Sequence, residues 1–320
     1  MQQQGVECDF TESDSWVILS PIEQSIKRKI EAVGVPLKDW DIQINYGIKT
    51  GFNDAFIICT EKRNEILANC LTEDEYTRTV ELIRPILRGR DIKRYGYEWA
   101  NLYLIATFPA CHYDIEDYPA VKKYLLSFAE EELRKAGYNW VADSYLADFC
   151  KQKLDQTGKF VEIKGERIVI GKTPEKARKK TSNMWFETQD SISYWEDFFK
   201  PKILWKRVGS ILRFAYNKNG ALGLDSTCFA TGHKIEYLCC VLNSPMGHYL
   251  LKDSPRTGTG DLLISVQAVE PIKIPKISDE DNNTFLFNIE TKQEEKINRK
   301  IFELYDLSPD EVSYIKENFS

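Results

Sequence analysis

Residues 42–59 read Ile42-Gln43-Ile44-Asn45-Tyr46-Gly47-Ile48-Lys49-Thr50-Gly51-Phe52-Asn53-Asp54-Ala55-Phe56-Ile57-Ile58-Cys59. Ile42, Ile44 and Tyr46 alternate with polar residues, the period of a half-buried strand. Gly47 and Gly51 punctuate a loop reaching to Asn53, and Ala55 to Cys59 resumes as a strand. Helical patterns lie on both sides of this pair. Upstream, Ser20-Pro21-Ile22-Glu23 is a capping box with proline in the first turn. Ile22, Ile26, Ile30 and Val33 then form one apolar stripe that Gly34 ends. Downstream, Thr72 and Glu75 cap a helical pattern through Val80, Ile83 and Leu87, closed by Gly89.

The remainder keeps mixing the two periods. Leu102 to Phe108 is apolar on both faces and reads as a buried strand. Pro119 to Ala136 reads as a helix through Val121, Leu125, Phe128 and Leu133, and Phe160 to Ile170 as a hairpin about Lys164-Gly165. Strands are expected over Lys202–Trp205, Ile211–Tyr216, Asp225–Phe229, Leu262–Ser265 and Val269–Ile274. The apolar helix Ile235–Leu251 is interrupted at Asn243-Ser244-Pro245, where proline breaks the hydrogen-bond ladder. A third capping box stands at Ser308-Pro309-Asp310-Glu311. The expected fold is α+β: a mixed, largely antiparallel twisted sheet with packed helices, flanked by N- and C-terminal helical segments. The expected organisation is an N-terminal linker and helix (1–40), a central domain (41–275) and a helical tail (276–320).

With 42% hydrophobic residues the chain can bury a full core. No run approaches the roughly 18 apolar residues of a membrane span. Met1-Gln2-Gln3-Gln4 opens without a basic or apolar leader, and the eight cysteines form no CxxC pair. Reduced thiols in a cytoplasmic protein, without structural zinc or a membrane partner, are expected.

The net charge of -6 disfavours a polyanion partner until its distribution is considered. Arg84, Arg88, Arg90, Lys93 and Arg94 form one basic cluster. Lys172, Lys176, Arg178, Lys179 and Lys180 form a second, and Lys200, Lys202, Lys206 and Arg207 a third, with Arg213 close behind. Acidic residues gather elsewhere, at Glu73-Asp74-Glu75, at Glu130-Glu131-Glu132 and from Asp279 onward. Separated charge can give an acidic protein one basic face.

Several of these segments, taken in order, carry a resemblance. Trp16 to Trp40, Gly47 to Phe56, Ile83 to Tyr95 with Leu87-Arg88-Gly89-Arg90-Asp91-Ile92 at its centre, Lys200-Pro201-Lys202-Ile203 and Leu242-Asn243-Ser244 resemble the TaqI-like C-terminal specificity domain. That domain belongs to Type IIG restriction–modification enzymes and adenine-specific DNA methyltransferases. The tail from Ile301 to Glu311 resembles the family's short terminal helices, whereas Trp140 to Asn183 departs from the pattern. The resemblance implies a target-recognition module for double-stranded DNA, not an enzyme on its own. Its partner would be an N6-adenine methyltransferase domain or subunit, with a nuclease domain in some arrangements. The helix Pro21–Val33 would lie at the methyltransferase junction, and the chain would be a fragment, a truncated product or a separate subunit. S-adenosylmethionine and magnesium would belong to those partners, with no cofactor in this chain.

The candidate DNA-binding residues are Lys49, Asn53, Arg88, Arg90, Lys93, Arg94, Lys202, Lys206 and Arg207. Lys49 and Asn53 sit on a loop whose glycines allow close approach to a ligand, or simply make a tight strand-to-strand turn. The arginines can neutralise phosphates or reach a guanine edge, while Arg90 with Asp91 equally reads as an internal ion pair. Lys202, Lys206 and Arg207 flank the strand Ile203–Trp205. Trp185 and Trp205 suit the core, or stacking on a distorted base.

The chain lacks the Asn/Asp-Pro-Pro-Tyr/Phe tetrapeptide and glycine-rich cofactor loop of the family's methyltransferases, so flipping and methyl transfer need another domain. Glu162-Ile163-Lys164 fits half of a magnesium-dependent nuclease site, with Asp148 or Asp155 as the upstream carboxylate. It supports a competing nuclease reading, and the acidic tail supports a third, a protein-interaction module. His112, His233 and His248 stand in no nucleophile context.

Overall fold

A computed structural model describes residues 19–135, 160–163, 166–169 and 182–319. Lys164, Asp148, Asp155 and the cluster Lys172 to Lys180 lie outside the described residues.

The molecule is organised by one sheet with a hydrophobic core on each face. Its strands are β2 (Ile42–Tyr46), β8 (Lys202–Lys206), β10 (Phe214–Asn217) and β12 (Thr227–Gly232). They run in the order β10-β8-β12-β2, antiparallel throughout. Period-two alternation divides each strand between the two cores. Leu204, Ala215 and Phe229 point to the first, and Ile203, Trp205, Phe214, Cys228 and Ala230 to the second. Burial on both faces is why β8 and β12 read as near-continuous apolar runs.

The first core lies against a second sheet of order β11-β4-β5-β3: β3 (Ile57–Cys59), β4 (Ile83–Leu87), β5 (Leu102–Ile105) and β11 (Leu222–Gly223). Pairing is antiparallel except between β11 and β4. Helices α2 (Asn53–Phe56), α3 (Thr60–Ala68), α4 (Glu73–Leu82) and α5 (Pro119–Lys135) surround it. Ile83 and Leu87 lie in a strand, where their spacing had suggested a helix. The helix stops at Leu82 because Pro85 disfavours helical torsions at Arg84 and cannot donate a ladder bond. Thr72 Oγ1 caps α4 by accepting from Glu75 N–H, and the Glu75 carboxylate accepts from Leu71 and Ala120, joining two helix starts.

The second core holds α1 (Pro21–Val33), α6 (Ile235–Asn243), α7 (Pro245–Leu250), α8 (Val266–Val269), α9 (Asp279–Glu290), α10 (Glu294–Leu304) and α11 (Pro309–Phe319). Ile26 of α1 is packed there with Phe285, Ile301, Tyr305 and Ile315 of the tail. Strand β1 (Gly34–Pro36) pairs with β14 (Lys273–Pro275), and Lys29 bonds to Glu311 at 2.8 Å. Helix α1 and the tail helices therefore share one core with α6 and α7. Gly34 continues as a strand with extended torsions, and a Cβ there would lie 2.6 Å from that of Lys273. The strand expected over Val269–Ile274 forms only at Lys273–Pro275, because Val269 closes the helical turn Val266–Val269. Ile211 to Arg213 is a loop ahead of β10, and the short strand β9 (Val208–Gly209) pairs with β13 (Leu262–Leu263). The expected hairpin forms between β6 (Phe160–Ile163) and β7 (Glu166–Val169). The observed class is α+β with largely antiparallel open sheets.

Candidate nucleic-acid interface

Strand direction gathers the cations. β2 and β8 both run antiparallel to β12, so both end where β12 begins. Strand β11 runs parallel to β4 and leads directly into that start. The C-terminal ends of β2, β4, β8 and β11 thus surround the turn Asp225–Ser226. Asp225 N–H donates to Ile48 O, Leu224 N–H to Leu87 O, Arg207 N–H to Ser226 O and Gly89 N–H to Ser226 Oγ. Lys49, Arg88, Arg90, Lys206 and Arg207 consequently leave the fold on one rim. They are separated in sequence by up to 158 positions, from 49 to 207, and brought together only by the pairing.

These five differ in what holds them. Lys49 is exposed between Asp190, whose N–H donates to Lys49 O at 3.3 Å, and Asp225. Burial pushes the Asp190 carboxyl up, while Lys49 pulls it back. Arg88 is committed: Nε donates to Asp91 Oδ2 at 3.0 Å and Nη2 to Oδ1 at 2.7 Å. The Arg88 backbone N–H donates to the same carboxylate. Burial pushes the Asp91 carboxyl up, but these bonds outweigh it and hold it below the usual range. The partner of Asp91 is thus Arg88, and Arg90 stands exposed with no ion-pair partner among the described residues. Arg207 lies over the exposed Tyr46 ring, 5.9 Å from its centroid.

Other candidates are placed elsewhere. Lys202 is a correction: it is fully buried, on the same strand face as Leu204, and Nζ donates to Phe198 O at 2.6 Å. Burial, with Arg84 adding like charge, pulls its amine down to about 7. It cannot reach DNA. Arg94 is exposed and lies towards the second core. It donates to Asn243 O at 2.8 Å and pairs with Glu294 at 3.1 Å, clamping the 88–96 segment to α6 and α10. Lys93 pairs with Glu98 at 3.0 Å. Asn53 opens α2, with its Oδ1 accepting from Thr50 Oγ1 at 2.6 Å.

The sequence alternatives resolve on packing. A Cβ on Gly47 would lie 2.0 Å from Leu224 O, so that glycine serves a chain crossing inside the fold. Gly51 has a φ of 80°, a left-handed turn. Trp205 is core, its Nε1 donating to Ile264 O, and Trp185 packs against Phe186. Asn243 bonds both the N–H and O of Phe214, and Ser244 caps α7, so that motif is structural. Among the described residues no three His, Cys, Asp or Glu are grouped to hold a metal ion. No described helix is long and apolar enough to cross a membrane. Ser226 and Gly209 were not singled out from sequence, since a serine in a turn and a glycine in a two-residue strand carry no local signal.

The family model of the TaqI-like C-terminal specificity domain matches residues 84–265, more than half of the chain. The chain belongs to that family. Its match opens at Arg84, inside the strand that delivers Arg88 and Arg90 to the rim, and closes at Ser265, where α8 begins. This specificity domain also shares its fold with the type IIG restriction endonuclease BpuSI, at 12% identity and a TM-score of 0.53, over 92% of this chain and 31% of that one. The Type IIL restriction-modification enzyme MmeI, solved in complex with DNA, aligns at 9% identity and a TM-score of 0.48, over 90% and 37%. The specificity domain therefore spans about a third of the length of these two proteins. A search of curated proteins finds no match.

Proposed function

We propose that this specificity domain selects a site on double-stranded DNA for a partner that performs the chemistry. The observation that carries this reading is the rim itself: Lys49, Arg90, Lys206 and Arg207 on converging strand ends, around a turn that Arg88 and Asp91 brace. A protein of net charge -6 that gathers exposed cations on one edge has a surface for a polyanion. Arg90 and Arg207 are suited to phosphates or to a guanine edge in the major groove. Asp190 and Asp225 beside Lys49 supply acceptors that phosphate would repel and an exocyclic amino group would not. The chemistry we assign to the partner is adenine-N6 methylation, cleavage, or both. That partner, a methyltransferase domain or subunit with or without a nuclease, would hold S-adenosylmethionine and magnesium. The chain itself would have no catalytic role, and the bacterial cytoplasm would be its compartment.

The test is duplex binding by the purified chain across roughly 50–200 mM salt, followed by selection from a randomised duplex library. Three phosphate contacts, from Arg90, Lys206 and Arg207, would give a log–log slope of about -2.7, and selection would return one sequence. No duplex affinity at low salt overturns the reading and leaves a protein-interaction module.

A further inference from the structure

Gly89 and Gly209 face the same lysine. A Cβ on Gly89 would lie 2.8 Å from Lys206 Cγ, and next nearest are Ser226 O at 3.3 Å and Ser226 Oγ at 3.4 Å. A Cβ on Gly209 would lie 3.4, 3.5 and 3.7 Å from Cδ, Nζ and Cε of Lys206. The lysine stem therefore passes Gly89 at its middle and Gly209 towards its amine. Backbone torsion does not explain either glycine: among the described glycines, positive φ occurs at Gly51, Gly220, Gly232 and Gly260. A side chain at Gly89 would collide with the middle of the Lys206 stem, and one at Gly209 would touch its end at ordinary contact distance.

Both walls are fixed from outside. Gly89 N–H donates to Ser226 Oγ at 3.1 Å, in a turn closed by the Arg88–Asp91 pair. Gly209 is paired with Leu262 in the β9–β13 ribbon. The lysine backbone is fixed as well, opposite Thr227 in β12. A lysine amine is a point charge on a flexible stem, and binding normally removes that stem's rotamer freedom. A stem already laid between two walls has lost much of it beforehand.

We propose that Gly89 and Gly209 are positioning residues, forming a slot that aims the Lys206 ammonium at one DNA phosphate. The inference rests on the DNA-binding reading above. Arg90, next to one wall, and Arg207, next to the lysine, make the surroundings favour a phosphodiester. The slot also gives a physical reason for glycine at the centre of Leu87-Arg88-Gly89-Arg90-Asp91-Ile92.

The test uses the full chain and a mixed-sequence duplex of about 30 base pairs, read by anisotropy against salt. Lys206→Ala is expected to weaken binding about threefold to tenfold and to lower the salt slope by about 0.9. Gly89→Ala is expected to weaken binding about twofold to fivefold, and to add nothing in a Lys206→Ala background. Equal cost in both backgrounds overturns the slot, because Gly89 would then act on the fold alone. Gly209→Ala, whose methyl meets the stem at ordinary contact distance, gives a folded variant for a DNA-free readout. In reductively 13C-methylated protein the Lys206 signal, assigned by its loss in Lys206→Arg, should move in Gly209→Ala while other lysines stay. An unmoved signal also overturns the slot. Absence of duplex binding by the unaltered chain instead overturns the DNA reading and the phosphate role together.

Discussion

Arg88 and Asp91 form a closed fork, with Nε and Nη2 of the guanidinium on the two carboxylate oxygens at 3.0 Å and 2.7 Å. The fork is local, three residues apart, and partly buried. Its neighbour Arg90 is left facing solvent, so two arginines two positions apart have different duties. Arg88→Ala is expected to cost about 1–3 kcal/mol of stability, because it leaves a buried carboxylate without its partner. Arg90→Ala should stay within about 0.5 kcal/mol and instead lower the salt slope of duplex binding by about 0.9. Denaturant melts and salt titrations of the two variants separate these outcomes.

Lys202 should behave as a core residue. Its folded amine lies near 7 and its unfolded amine at the ordinary lysine value of 10.5. Between those values the unfolded chain binds more protons, so stability rises with pH across that window. The penalty is full below about 7 and gone above about 10.5. Lys202→Met keeps the volume and removes the charge, and is expected to raise stability at pH 7 by roughly 1–3 kcal/mol. It should flatten the rise between pH 7 and 10.5 and leave duplex affinity unchanged. A loss of affinity with no gain in stability would return Lys202 to the interface.

Helices α1 and α11 are joined by Lys29 and Glu311, 2.8 Å apart. Burial pushes the Glu311 carboxyl up, but bonds from Lys29, Ser25 and the Ser308 N–H bring it down to about 2. A carboxylate lowered on folding contributes stability above its ordinary range and loses it as pH falls towards 2. Glu311→Gln is expected to cost about 1–3 kcal/mol at pH 7 and much less near pH 2. Thermal melts at the two pH values measure the difference.

Gly47 and Gly96 should separate sharply on alanine substitution. A methyl at Gly47 would overlap the Leu224 carbonyl, with 2.0 Å between centres, whereas nothing lies within 4 Å of one at Gly96. Gly47→Ala is expected to destabilise by more than about 4 kcal/mol. Gly96→Ala should be nearly silent. Soluble yield and melting temperature report both.

Much of the fold was legible because its signals are local. The capping boxes at Ser20 and Ser308 close as their spacing demands, with Glu23 reaching the Ser20 N–H and Glu311 that of Ser308. Pro245 breaks the helix where it stands, and the family segments appear in order. Local signals misled where two periods overlap in a short apolar run. Ile83 and Leu87 suit either a helix or a strand, and Pro85 decided between them. The strand expected from Val269 starts only at Lys273 for the same reason.

The candidate site was only half legible, because charge in a sequence carries no direction. The composition and ordered motifs determined an α+β specificity domain with cations near 49, 84–94 and 200–213. Only the tertiary structure sorted those cations. One strand carries Lys202 and Lys206 on the same face, yet one end is covered by the Phe198 segment and the other opens between Gly89 and Gly209. Arg88 is spent on Asp91 and Arg94 on α6 and α10, while Arg90 is left free among the described residues. The reason is physical: pairing of β2, β4, β8, β11 and β12 fixes which strand ends meet, and that pairing is a long-range fact that no local window contains.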